Sequence, residues 1–241
     1  MTDRRFFVDV MSDIVDSMRS TGNITSFSEV SGTYTINSVN ELKNGESIVI
    51  NSVNYRVSSV TSSSFVISGS TGLDFLGESW KALAPYYDYG HYLEIASRVD
   101  IKSRNSGDGK FRLFPMIILI TDIKETHDEI PEILYSIDPP NIFIVDYTKP
   151  TYTAQERTEL TFKPILYPLY ELLVEKMVES KAISVPNNRF KNDIIMRYGW
   201  GNETVYRNDA LIFNEHLDAI QFIPDNIRVY KPVINPNCLS I

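Results

Sequence analysis

The sequence predicts an α+β fold: a mainly antiparallel sheet packed by two helices, with an inserted small all-β barrel of SH3- or OB-like size. Three observations predict it. Phe7, Val10, Met11, Ile14, Val15 and Met18 recur at helical spacing and form one apolar stripe. From Ser20 to about Gly72 the chain turns dense in Ser, Thr, Val and Ile, with period-two alternation. Apolar runs near residues 114–120 and 141–147 then lead to a second amphipathic helix, Phe162 to Met177, which carries Pro164 and Pro168.

The first helix is expected to begin at a Thr2 or Asp3 cap and to run to about Arg19, its stripe docking on a sheet. A membrane-surface helix would carry a basic polar face, whereas this one carries Asp9, Asp13 and Asp16. The same aspartates interrupt what would be a signal-peptide core, and no small-residue cleavage site follows. No stretch approaches the run of about eighteen apolar residues that a membrane span needs. The expectation is a soluble, unprocessed chain.

Within the Ser/Thr-rich stretch, alternation is clear over Glu46–Asn51, at Val53, Tyr55 and Val57, and at Phe65 and Ile67. Asn44-Gly45 and the run Ser62-Ser63-Ser64 supply turns. Such short strands read as a small barrel or, more plainly, as a decorated hairpin extension. The domain reading is a main α+β domain, residues 1–24 and 73–241, interrupted by the barrel at 25–72.

A connector is expected from Leu73 to about Tyr92, where Tyr86, Tyr87, Tyr89, His91 and Tyr92 crowd around Pro85 and Gly90. Clustered tyrosines bury area at little entropic expense, so they suit a subunit interface, or they cover the junction between the two domains. Two long strands, Glu94–Arg104 and Lys110–Thr121, are expected to form a hairpin through Asn105-Ser-Gly-Asp-Gly. The second reads as central and buried on both faces, with Pro115 marking a bulge or edge position near its start. An acidic loop, Asp122 to Glu132, leads to a strand at Asn141–Tyr147. In the helix that follows, Pro164 fits a first turn, while Pro168 lies deeper and predicts a kink. A looser region containing Tyr198-Gly-Trp-Gly precedes a last strand, Asp218–Tyr230.

Chemistry is sparse. The net charge of −8 argues against a grip on nucleic acid built from phosphate neutralisation, though not against a pore through which DNA slides. Cys238 is the single cysteine, so neither an intrachain disulfide nor a thiolate metal cluster can form. His91, His127 and His216 are scattered and make no HExxH pattern. The acids between Asp122 and Glu132 fit no EF-hand spacing and read as a solvated loop. Gly107-Asp-Gly-Lys110 lacks the length of a phosphate loop, and neither a GxSxG elbow nor an SxxK motif occurs. Glu171, Glu175 and Glu179 form a like-charge ladder, either an exposed polar face or a surface that meets a basic neighbour. Trp200, between glycines, suits a ligand stack or a loop tip touching a partner protein. The reading is of a protein that is not an enzyme and needs no cofactor or metal.

The proline-bearing helix, followed by Leu211-Ile-Phe-Asn-Glu-His-Leu-Asp-Ala-Ile-Gln-Phe222 and Asn226-Ile-Arg-Val-Tyr230, resembles a pattern in structural proteins of tailed bacteriophages. The likeness is to neck and tail proteins of phages infecting Bacteroidales, including the crAss-like group. Leu42-Lys-Asn-Gly-Glu-Ser-Ile-Val-Ile-Asn-Ser-Val-Asn-Tyr-Arg-Val57 is similar to their small β domains. The helix–sheet–helix–strand order is similar to tail-terminator and tail-completion proteins. The resemblance implies a homo-oligomeric ring, six- or twelve-fold, in the virion neck or tail and assembled in the host cytoplasm. Such a ring stacks on other neck, tail or portal proteins, and DNA passes through its channel without specific binding. Tyr86, Tyr87, Tyr89, Tyr92, Gly107, Glu171, Glu175 and Trp200 are then candidate subunit-interface residues. The hairpin around Gly107 and the proline-broken tail after Lys231 are expected to reach neighbouring subunits. A ligand- or glycan-binding accessory module of the virion is the competing class.

Overall fold

The computed structural model describes residues 6–40, 42, 46–105, 113–127, 132–199, 213 and 216–231. Helix α1 (Phe7–Ser17) buries Phe7, Val10, Met11, Ile14 and Val15, the stripe expected of it. It starts after Phe6 with no side-chain cap, later than a Thr2 or Asp3 start would place it.

From Thr21 to Ala82 the described chain is all β. Its strands are β1 (Thr21–Asn23), β2 (Ser26–Val30), β3 (Thr33–Asn37), β4 (Ser47–Ile50), β5 (Val53–Arg56), β6 (Ser59–Thr61), β7 (Ser64–Ser68) and β8 (Ser79–Ala82). They make two four-stranded sheets, ordered β1-β8-β4-β5 and β2-β3-β7-β6, with every pair antiparallel. Two-residue turns close the hairpins. Ser31-Gly32 and Asn51-Ser52 hold positive φ at both positions, as tight hairpin turns require. The serine run supplies the β6–β7 turn, where the Thr61 hydroxyl accepts from the Ser64 N–H at 3.0 Å.

The chain crosses between these sheets at two corners. Ile24 N–H donates to the Glu78 carbonyl of one sheet and Thr25 N–H to the Asn37 carbonyl of the other. Val57 N–H donates to the Glu46 carbonyl and Ser58 N–H to the Val66 carbonyl in the same way. Inward residues of both sheets, among them Tyr34, Ile48, Phe65, Ile67 and Trp80, fill one core. The Trp80 indole donates to the Ser38 hydroxyl at 2.8 Å, and a Cβ on Gly22 would meet its ring at 2.7 Å, so position 22 must be glycine. β8 falls inside the stretch expected to be a connector.

The rest of the chain adds β9 (Tyr86–Gly90), α2 (Tyr92–Asn105), β10 (Met116–Ile120), β11 (Glu125–Thr126), β12 (Ile133–Ile137) and β13 (Asn141–Tyr147). Helix α3 (Ala154–Arg157), a π-helical segment (Thr158–Leu166) and α4 (Tyr167–Glu179) follow. Strands β14 (Ile183–Ser184), β15 (Phe190–Tyr198), β16 (Leu217–Pro224) and β17 (Ile227–Tyr230) complete it. A five-stranded sheet has the order β15-β16-β13-β10-β9, and a four-stranded one the order β11-β12-β17-β14. All pairs are antiparallel except β9 with β10. The fold is α+β and mostly antiparallel, as expected.

Both faces of the five-stranded sheet are covered. On one, Ile117, Leu119, Ile142, Ile144, Ile220 and Phe222 share a core with α1, the π segment, α4 and the four-stranded sheet. On the other, Met116, Ile118, Val145 and Ala219 pack with Ile95, Ala96 and Val99 of α2. β10 is therefore central and buried on both sides, which is why its sequence is an unbroken apolar run.

Several expectations are corrected. Glu94–Arg104 is helix, not strand. β9 and β10 are adjacent and parallel, and such a pair needs a crossover, which α2 supplies. The hairpin turn around Gly107 lies outside the described residues. Phe114–Pro115 is a cis bond just before β10, outside the strand. Asp218–Tyr230 is not one strand, because it breaks at Asp225-Asn226 into β16 and β17 of different sheets. A nine-residue strand, β15, occupies the region read as loose.

The second helix forms, but its irregularity is a change of register. Thr153 caps it, accepting from Glu156 N–H at 3.2 Å while the Glu156 carboxylate accepts from Thr153 N–H at 2.8 Å. Backbone angles stay helical at both ends of the π segment, and Tyr167 N–H donates five residues back to Phe162. Pro164 lies inside that wider turn and Pro168 in the first turn of α4. The two residues without an N–H thus fall where the four-residue ladder is already interrupted or beginning again.

Candidate functional site

The densest buried charge sits where β13 meets β16. Asp146 and Asp218 are cross-strand partners, 1% and 0% exposed. Period-two alternation puts Asp146 in phase with Ile142 and Ile144, and Asp218 in phase with Ile220 and Phe222, all of which face the core shared with α1. Two like charges opposite one another in a core need compensation, and two arginines supply it.

Arg157, the last residue of α3, is itself buried and donates to Asp218 Oδ1 at 2.6 Å and to the Thr148 hydroxyl at 2.7 Å. Its remaining donors reach the carbonyls of Tyr152 and Lys149, both at 3.2 Å. A further bond comes from the backbone. β15 bulges against β16 between Ile195 and Tyr198, and Arg197 there takes φ 59. That turn brings its N–H to Asp218 Oδ1 at 2.9 Å, so the bulge re-aims a donor at the buried carboxylate.

Arg56 comes from the other β unit. It extends from β5 and donates from Nη2 to Asp146 Oδ2 at 2.9 Å, with its own side chain 40% exposed. Asp146 Oδ1 and Asp218 Oδ2 have no hydrogen-bond partner among the described residues. Burial is the main influence on both carboxyls and raises both pKa values, against the pull of Arg56 on Asp146 and of the Arg197 N–H and Arg157 on Asp218. With both aspartates sealed from solvent, a substrate has no access to them in this conformation. Through Arg56, Asp146 also ties the Thr21–Ala82 unit to the main sheet.

Beside this tie lies an open cleft of about 610 Å³ between the two units, with Glu46, Asn54, Arg56, Leu83, Tyr86 and Pro115 in its walls. Its lining mixes charged, amide and apolar groups.

The candidate interface residues lie on separate elements. Tyr86, Tyr87 and Tyr89 belong to β9, and Tyr92 opens α2. Tyr86 lines the cleft, with the Lys102 ammonium at its hydroxyl and 4.2 Å from its ring centre. Tyr87 donates to the Val8 carbonyl of α1 at 3.2 Å, and burial pushes its phenol well above its ordinary pKa. Tyr89 is exposed, and the Tyr92 ring lies 4.2 Å from that of His91. Glu171 and Glu175 are exposed on α4, and Lys176 sits 3.8 Å from Glu175 and 2.9 Å from Glu179. Gly107, Trp200 and the tail after Lys231 lie outside the described residues. Among the described residues, no three His, Cys, Asp or Glu side chains are placed to hold a metal, and no helix is long and apolar enough to cross a membrane.

The aspartate pair and its arginines were not singled out from the sequence. A signal existed: an aspartate in phase with the inward isoleucines of NIFIVDY is a charge at a core position. Its partners are long-range and no local spacing shows them. Compared with protein-family models and with curated proteins, the chain matches none.

Proposed function

We propose that this chain is a structural subunit of a tailed-bacteriophage virion. It assembles as a six- or twelve-fold ring in the head–tail connector, neck or tail, in the manner of tail-terminator proteins, and helps join head to tail around the DNA channel. The observation that carries the reading is the tied seam. A ring closes only if every subunit presents the same angle between its contact surfaces, and the Arg56–Asp146 link ties the Thr21–Ala82 unit to the main sheet. The net charge of −8 suits a channel that must not hold phosphates. We read the unit from Thr21 to Ala82 as a small SH3- or OB-like barrel; the two corners at Ile24-Thr25 and Val57-Ser58, which carry strands from one sheet into the other, support this.

Native mass spectrometry of the purified chain, with negative-stain imaging, tests the ring. The expected species is a closed hexamer or dodecamer. A chain that never closes into a ring, and that is missing from the peptides of purified virions, refutes the proposal. Truncation after Tyr230 should impair assembly while leaving the monomer folded.

The cleft favours a second reading, a ligand- or glycan-binding accessory module, because polar groups such as Asn54 and Arg56 line it together with apolar Leu83 and Pro115. A glycan array probed with the full chain separates the two, since a pure ring subunit gives no glycan signal.

A further inference from the structure

The five-stranded sheet has two outer strands, and their backbones are treated differently. At β9, Gly90 accepts from Thr121 N–H on the β10 side. In a parallel pair this fixes Tyr86, Asp88 and Gly90 as the residues bonding inward, and Tyr87 and Tyr89 as those facing out. The outward groups of Tyr89 are taken by the protein itself. Its N–H donates to Asp88 Oδ1 at 2.9 Å, and its carbonyl accepts from Arg98 Nη2 at 2.6 Å. Arg98 is held for this by a two-pronged bond to Asp88. At Tyr89 the edge is thus blunted against another strand.

At β15 the arrangement is open. Phe190 lies opposite Pro224, which has no N–H, and Asp225 N–H donates to the Arg189 carbonyl at 3.1 Å. Phe190 is therefore at a non-hydrogen-bonded site, so Lys191, Asp193 and Ile195 bond to β16 while Phe190, Asn192 and Ile194 direct their N–H and carbonyl groups outward. Among the described residues no strand pairs with that side. The edge also carries exposed apolar side chains, Ile194 at 50% and Met196 at 37%.

We propose that β15 pairs antiparallel with β15 of a second copy, about a two-fold axis at Asn192, so that one sheet runs through both molecules. The order of residues selects this partner and this register. Centring on Asn192 matches outward backbone groups with outward backbone groups. It sets Lys191 opposite the partner's Asp193, Asp193 opposite the partner's Lys191, and Phe190 opposite the partner's Ile194. Centring on Lys191 or on Asp193 would set identical charges against one another, and centring on Ile194 would set Lys191 against Arg197. Lys191 and Arg189 now lie only loosely near Asp225, at 3.9 and 3.8 Å, so Lys191 can turn to a partner. The bulge at Ile195–Tyr198 ends the regular edge and limits pairing to this short segment. The contact goes beyond the ring reading and does not depend on it. It joins like surface to like and closes at two copies, whereas a ring joins unlike surfaces.

Sedimentation equilibrium of the full chain tests it, alongside the same measurement on charge variants. Wild type should show two-fold pairing: a dimer of chains, or, where rings form, twice the ring mass. Asp193→Lys places lysines opposite one another at two symmetric positions and should weaken dimerisation about tenfold. Adding Lys191→Asp to that variant restores the complementary pairs and should restore the dimer. In a Cys238→Ser background, Asn192→Cys should give a symmetric disulfide on mild oxidation, because the axis brings this residue against itself. Wild type without that pairing overturns the proposal, as does pairing indifferent to Asp193→Lys. If the double variant stays as weak as the single one, or the cysteine variant forms no cross-link, the edge is instead occupied by another partner or another part of the chain. Circular dichroism melts matching wild type establish that each variant is folded. Rings without β15-dependent dimers refute this proposal alone, and dimers without rings refute only the ring.

Discussion

Asp146 and Asp218 are the same residue type, opposite one another on neighbouring strands, each with an oxygen that finds no hydrogen-bond donor among the described residues. They differ in what holds them. Arg157 reaches Asp218 from the same body of the protein, at 2.6 Å and 2% exposed, with its other donors on Thr148, Tyr152 and Lys149. Arg56 reaches Asp146 from another β unit, at 2.9 Å and 40% exposed. The first pair is a staple inside one core and cannot part without unfolding that core. The second is a latch on a seam, and water can replace Arg56 while both units stay folded. One buried carboxylate pair thus serves two purposes, decided by the solvent exposure of the arginines.

The largest effect that tests this contrast is Arg157→Ala. It leaves Asp218 buried without its charge partner and strands the Thr148, Tyr152 and Lys149 acceptors, so global stability should fall by roughly 3–5 kcal/mol. Arg56→Ala should lower it by only about 1–2 kcal/mol, because solvent already reaches that guanidinium and Asp146 can take up a proton instead. Its signature is local: faster limited proteolysis near Leu83–Pro85, where the two units join, at unchanged secondary structure. Equal losses in denaturant titrations of the two variants would abolish the distinction between staple and latch.

Local patterning was enough to find α1, β13 and the buried character of β10, since each is an apolar stripe or run of one period. It failed wherever a distant strand decided the outcome. The α2 segment reads as a strand because Leu93, Ile95, Val99 and Ile101 include two exposed residues, and only Ile95, Ala96 and Val99 keep helical spacing toward the core. What forces the helix is the parallel β9–β10 pairing, which no local window contains. β15 is hard to see for the opposite reason: an edge strand buries little, and its charges break the alternation. The aspartate site follows the same rule. Each aspartate is visible as a charge in phase with core isoleucines, but the arginines lie 90 and 61 residues away in sequence from Asp146 and Asp218 respectively.

Protonation sharpens the comparison further. Burial raises the folded-state pKa of both aspartates above the ordinary carboxylate value. Between those values the folded protein binds more protons than the unfolded chain, so this contribution to stability falls as pH rises through the window and is constant above it. Glu156 works in the other direction: Thr153 N–H and the Thr153 hydroxyl lower its pKa, and its contribution is lost as pH falls through the folded value. The wild-type curve therefore mixes opposite slopes, and a difference curve is needed to separate them. The stability of wild type minus that of Asp146→Asn should decline from acid toward neutral pH. A flat difference would mean that Asp146 ionises in the fold as it does unfolded.

The smallest effect lies on α4, at Glu171 and Glu175. Both are exposed, and Lys176 sits 3.8 Å from Glu175 while bonding Glu179 at 2.9 Å. Charge reversal there meets high dielectric and mobile counter-ions, so Glu171→Lys with Glu175→Lys should move monomer stability by no more than about 0.5 kcal/mol. That near-silence makes the pair a clean probe of assembly. A staple variant confounds assembly with unfolding, and a latch variant confounds it with a change in the angle between the β units. If the glutamate ladder meets a basic surface on the next subunit, the double reversal should abolish rings seen by native mass spectrometry while the melting temperature of the dissociated chain stays unchanged. Rings that form normally would remove α4 from the interface and leave the tyrosines of β9 and the opening residue of α2 as the candidates on described elements.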